Sequence, residues 1–171
     1  ARQARALEQA MDQARVAAGT AVRLRPAGYD GEVVYLIALM QNLGRLLVHY
    51  HFPDEAAQIR ELMRATPATA DQQAAEGMNE REASYAVLGI DTESIGQAVA
   101  RHWGLTDDVL HMIRRIPEDK SVHGGSDGDL LRAAGSVGND AVDALLAGDP
   151  TRVGRALGRV VQRYSRVLSF T

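Results

Sequence analysis

No cysteine occurs in the chain. That excludes a disulfide scaffold, thiolate zinc centres and a cysteine nucleophile. Lysine is nearly as scarce: Lys120 is the only one, and the remaining basic residues counted with it are arginines. Schiff-base chemistry is thereby confined to one position, in an expected loop. Aromatic residues make up only 5% of the chain, and no segment sustains the alternation of a half-buried strand. Both scarcities count against β-structure. There is no run of about 18 apolar residues that would read as a membrane span, and no charged-then-apolar leader with a cleavage site. An excess of one charge is missing too. With 19 basic and 22 acidic residues the net charge is −3, which argues against nucleic-acid binding by bulk charge.

What is present is apolar and rich in alanine. An apolar fraction of 46% over 171 residues supports a real core in one domain, or one domain with an appendage. Abundant alanine with few aromatics favours helices. The chain starts at Ala1, without methionine, inside a helical pattern. The expectation is a piece of a longer cytoplasmic protein.

Residues 2–25 read as one amphipathic helix, with Leu7, Met11, Ala14, Ala18 and Ala21 on one face at spacings of 4, 3, 4 and 3. Pro26-Ala27-Gly28 ends it, and Asp30 is placed to cap a helix over about 31–50. That segment is apolar nearly all round, so it is expected at the centre, as one helix or as two meeting near Gly44. Phe52-Pro53-Asp54-Glu55 marks a helix start running to about Arg64. A loop over 65–73 precedes a helix of about 74–88 stopped by Gly89. Asp91 caps about 92–103, and Thr106 caps about 107–115. Residues 117–128, with three glycines and a proline, read as a flexible linker. Helices of about 129–147 and 151–168 follow. The expected fold is an all-α bundle of about seven to eight helices. Its expected organisation is a core over 1–116, a linker over 117–128 and a C-terminal helical pair over 129–171 packing on the core.

Signals for chemistry are sparse. His49 and His51 lie two apart and do not converge as an i, i+4 pair would, His102 and His111 fall on separate expected helices with no acidic partner at a metal-binding spacing, and His123 lies in the glycine-rich linker. Surface or capping histidines are the plainer reading. Gly124-Gly125-Ser126-Asp127-Gly128 could cradle a phosphate before a helix, but it lacks the P-loop lysine and a preceding strand. No serine sits in a nucleophile-elbow pattern. Trp103, the only tryptophan, ends a face of Ile95 and Val99; a core anchor is expected, and a peptide-binding hot spot is the alternative. The last helix carries Arg152, Arg155, Arg159, Arg163 and Arg166 at spacings of 3, 4, 4 and 3, within an arc of about 80°. Either they form a solvated face partly paired with neighbouring carboxylates, or they dock an acidic partner or a phosphate-bearing ligand.

Three segments, in order, carry a resemblance. Residues 35–47 read YLIALMQNLGRLL, residues 52–56 read FPDEA, and residues 88–105 read LGIDTESIGQAVARHWGL. Together, over about residues 9–116, they resemble the HDOD domain, a helical relative of the HD-type metal-dependent phosphohydrolases. The resemblance suggests the second half of such a domain. Catalytic HD proteins bind metal through a first histidine, an adjacent His-Asp pair and a later aspartate. In the alignment the resemblance implies, the His-Asp pair reads Gln41-Asn42, and the first histidine falls near Asp12. The histidine after "G-D" is Thr92, a later His-His segment falls at about Arg115-Ile116, and the later aspartate at about Gly135. Neutral amides are weak, uncharged ligands and do not replace imidazole and carboxylate.

The resemblance therefore implies a non-catalytic regulatory module of a bacterial signalling protein, without cofactor or metal. It would contact receiver, kinase or cyclic-di-GMP-turnover modules; a homo-oligomer stays open. The alternatives are a divergent metal-dependent phosphohydrolase, or a nucleotide sensor using the old active-site cleft. Gly44 and Gly96 are expected to mark close helix contacts, since a mid-helix glycine otherwise costs about 1 kcal/mol relative to alanine.

Overall fold

A computed structural model describes residues 2–66, 69–71, 73 and 76–169. Pro67, Ala68 and Gln72 of the expected loop lie outside the described residues, as do Ala74 and Ala75 of the helix expected from 74. Among the described residues there are nine helices, one more than expected, and no strand: α1 (Arg2–Leu24), α2 (Gly31–Met40), α3 (Leu43–His51), α4 (Pro53–Met63), α5 (Glu80–Leu88), α6 (Thr92–His102), α7 (Asp107–Met112), α8 (Asp127–Leu145) and α9 (Pro150–Leu168). Among the described residues no single helix is long and apolar enough to cross a membrane.

The helix starts follow local capping chemistry. The side chains of Asp30, Asn79, Asp91, Thr106, Ser126 and Asp149 each accept a backbone N–H two or three residues on, satisfying donors that have no intrahelical partner. The Asn79 cap places the start of α5 at Glu80, later than the expected 74. Gly89 then ends α5 at φ 73°, a conformation glycine reaches without steric cost. The apolar segment after Asp30 is two helices, α2 and α3, bent by 49° at Gln41-Asn42. α7 stops at Met112, short of the expected 115.

α8 occupies the centre and is flanked by α1, α2, α7 and α9. Its residues from Ala133 to Val142 are buried without interruption. Small residues make this possible. A Cβ at Gly138 would meet Ala17 O and Ala21 of α1, so only glycine admits that approach. The buried face of α1 is Ala10, Ala14, Ala17, Ala18 and Ala21. Ala14, Ala18 and Ala21 are buried as expected, whereas Met11 is exposed and Ala10 and Ala17 complete the buried face.

Four apolar clusters divide the interior. One joins α1, α2 and α8 through Ala18, Ala21, Val34, Ala38 and Ala134. A second seats α9 on α8 through Tyr164, Leu168, Ala133 and Val137, with Ile116 and Leu24 closing it. A third holds α3 to α6 through Val48, Ala56, Ile59, Ala83 and Ile95. The fourth packs Ala100, Leu110 and Ile113 against Met40 and Leu43. Trp103 belongs to none of them and is 57% exposed. It stands at the C-cap of α6, beyond the last buried turn at Ala100, so it is no core anchor.

Residues 117–126 are irregular, yet they are pinned to the fold. Val122 packs on the second cluster, and a Cβ at Gly124 would press on Val167 and Leu130. Arg163 donates to the carbonyls of Pro117 and Lys120. Ser126 is a helix cap rather than part of a phosphate loop.

Candidate functional site

The bend between α2 and α3 opens onto a cleft of about 950 Å³. Gln41, Asn42, Arg45 and His49 line one wall, Glu80, Thr92 and Glu93 another, and Arg114, Arg115, Asp140 and Asp143 a third. Three of the four sequence-predicted site positions, Gln41, Asn42 and Thr92, therefore converge here.

Asp12 does not. It lies on the outward face of α1, in a shallow groove with Val16 and Leu145, and pairs with Arg15 at 3.1 Å. Gln9 and Gln13, on the cleft side of α1, line the cleft instead. Counting residues could not supply the phase of α1; the buried alanines decide it. Gly135, expected near the later aspartate, abuts Gln41, whose amide nitrogen would lie 2.8 Å from a Cβ there. One turn further along α8, Asn139 and Asp140 take the position beside the cleft.

Gln41, Asn42 and Asn139 form a buried amide cluster. Asn42 Nδ2 donates to Asn139 Oδ1 at 2.7 Å and to Ala38 O at 3.2 Å. Asn139 Nδ2 reaches Ala38 O, Gln41 Oε1 and Gly135 O at 3.1–3.2 Å. Gln41 Nε2 donates to Met112 O at 3.1 Å and Arg132 O at 3.2 Å. Buried polar groups that all find partners rigidify a core. This donor set does not fit a divalent cation: it carries no charge, and its amide nitrogens are directed at carbonyl oxygens. Among the described residues no three His, Asp or Glu side chains are arranged to hold a metal ion.

Much of the charge on the cleft walls is paired internally. Asp140, 8% exposed, accepts from Arg115 Nε at 2.9 Å, Arg163 Nη1 at 3.0 Å and Tyr164 Oη at 2.6 Å. Arg115 also reaches Asp143 at 2.5 Å. Burial works against the charged Arg115 guanidinium, but Asp143 and Asp140 more than offset it, and its pKa is raised. Burial first, then the neighbouring Asp140 carboxylate, raises the Tyr164 phenol. Across the cleft, Arg45 pairs with Glu80 at 2.6 Å, and Thr92 Oγ1 donates to Glu80 at 2.8 Å. Burial pushes the Glu80 carboxyl up, yet Arg45 and the Thr92 hydroxyl hold it below the usual carboxylate range. Glu93 is pushed up by burial, with Arg114 at 3.5 Å opposing. Burial lowers the His49 imidazole, whose Nδ1 lies 2.8 Å from Arg45 O.

The arginine row on α9 is divided by the structure. Arg152, Arg155, Arg159 and Arg166 are exposed, but Arg163 turns inward to Asp140 and two loop carbonyls. Among the five it lies nearest the apolar face, one residue before the buried Tyr164. Asn139 and Asp140 went unnoticed in the sequence, whereas Tyr164 lies on the apolar face of the last helix, where helical spacing puts it. The available signal was the adjacent polar pair Asn139-Asp140 inside an otherwise small and apolar stretch of α8.

The HDOD domain family model matches residues 1–118. No curated protein and no solved structure matches the chain.

Proposed function

Because the chain belongs to the HDOD domain family, we propose that it is a non-catalytic regulatory module that works through contacts with other proteins or domains. The observation that carries this reading is the amide cluster of Gln41, Asn42 and Asn139, bonded to itself and to backbone carbonyls. Where a phosphohydrolase of the resembling type would present imidazole and carboxylate to a metal, these side chains spend their donors on the fold. Lewis-acid activation of water has no charged anchor among them. Receiver, kinase or cyclic-di-GMP-turnover modules are the signalling partners the resemblance suggests, in a bacterial cytoplasm.

Elemental analysis of the purified chain tests the reading. Substoichiometric Fe, Mn, Mg and Zn is the expected result. A stoichiometric metal that is lost on Asn42→Leu substitution overturns it. For the sensor alternative, a cyclic dinucleotide would have to draw Arg45 from Glu80, and Arg115 from Asp140 and Asp143, at the cost of unpairing those carboxylates. Titration calorimetry with cyclic dinucleotides should register no binding heat.

A further inference from the structure

We propose that the outward face of α9 docks an acidic helix of a partner protein; this deepens the contact-module reading above and rests on it. α9 carries five arginines and no carboxylate, in a chain whose net charge is −3. Four of those arginines, Arg152, Arg155, Arg159 and Arg166, are exposed. Among the described residues only Arg152 of these four makes an ion pair, a loose one to Asp149 at 3.8 Å. The row runs about 21 Å along the helix at 1.5 Å per residue. It is a line of cations left unsatisfied by the fold, whereas Arg163 in the same helix is fully engaged.

The shape beside the row favours a helix over other polyanions. Gly154 and Gly158 are exposed, and a Cβ at either would have nothing within 4 Å. With Val161, 48% exposed, and Ser165 they follow spacings of 4, 3 and 4, the seam along which one helix packs on another. Missing side chains at the two glycines let a second backbone approach while Val161 supplies an apolar contact. The partner's carboxylates at i, i+4 and i+11 would then face Arg155, Arg159 and Arg166. A lipid surface fits poorly, because Tyr164 and Leu168 of the apolar face are already buried against α8 and little remains to insert.

The test uses the whole chain and a fluorescent synthetic helix of about 18 residues, with glutamates along one flank and alanines along the contact line. A scrambled peptide of the same composition, a single-stranded oligonucleotide and phosphatidylserine vesicles are the comparisons. The ordered helix should bind, and the scrambled one should bind at least about tenfold more weakly. Arg155→Glu with Arg159→Glu should lower affinity about tenfold or more, from reversing two contacts. Gly158→Leu keeps every charge and improves helix propensity, yet should weaken binding by a similar factor. Circular dichroism should be unchanged for both variants.

Absence of binding overturns the proposal. So does equal capture of the scrambled peptide, the oligonucleotide or the vesicles. Indifference to Gly158→Leu, or self-association that disappears in the double arginine variant, overturns it as well. Each of these leaves the metal analysis, and with it the contact-module reading, untouched.

Discussion

Asp140 holds together three parts of the molecule that are distant in sequence: Arg115 beside the cleft, and Arg163 and Tyr164 on α9. Removing one partner of a buried ion pair leaves the others charged and uncompensated. Asp140→Ala should therefore cost ~3–5 kcal/mol, read from urea unfolding, whereas Asp12→Ala, in an exposed pair, should change stability by less than about 1 kcal/mol. His49 makes a pH prediction. Burial, the leading cause, lowers its pKa in the fold, so the unfolded chain takes up its proton first as pH falls. The His49 contribution is complete above the unfolded value of about 6.5 and is lost as pH drops below it toward the folded value. His49→Gln should flatten the pH dependence of unfolding free energy in that window. Legibility at this scale was uneven. Gln41-Asn42 stood out because a motif resemblance supplied a comparison. Asp140 did not, because nothing local distinguishes a buried aspartate from a solvated one.

Helix boundaries were largely readable, since they depend on neighbours in sequence. Asp30, Asp91, Thr106 and the Phe52-Pro53 start are where capping chemistry predicts. The exceptions differ in origin. The onset of α5 is local, set by the Asn79 cap, whereas the buried face of α1 depends on which neighbouring helix covers it, and that is not local information. Glycine shows the same division. At Gly44 a Cβ would collide with the Thr92 carbonyl, and at Gly96 it would lie 2.8 Å from Gly44 N; α3 and α6 cross there backbone to backbone. Gly44→Ala should destabilise by ~1–3 kcal/mol or more through overpacking, despite a propensity gain of about 1 kcal/mol. Gly154→Ala, in open space, should stabilise by about 0.5–1 kcal/mol. Opposite signs for one chemical change, measured as shifts in thermal midpoint, check the packing directly.

In the whole molecule, the family match ends at residue 118, but the core does not. α8, entirely beyond that point, fills the centre, contributes Asp140 and Asp143 to the cleft, and holds Asn42 beside it through Asn139. A fragment of residues 1–118 would expose Ala18, Ala21, Val34 and Ala38, which pack with Ala134. Such a fragment should lose cooperative unfolding, seen as a broad, shallow urea transition beside the sharp one of the full chain. α8 and α9 pack into the same interior as the helices before residue 118, and the segment between is clasped to them by Val122 and by Arg163.

Composition and local pattern by themselves determined that the fold is all-α and where most helices begin and end. Those properties depend on backbone propensity, capping and residue identity, all of which act within a few residues. Only the tertiary structure decided that Gln41, Asn42 and Asn139 bond to one another, that Trp103 faces solvent, and that Arg163 leaves the arginine row for Asp140. Each of those outcomes is a choice between burial and solvation. The choice is made by helices brought together from opposite ends of the chain, at distances in sequence where no local pattern carries the information.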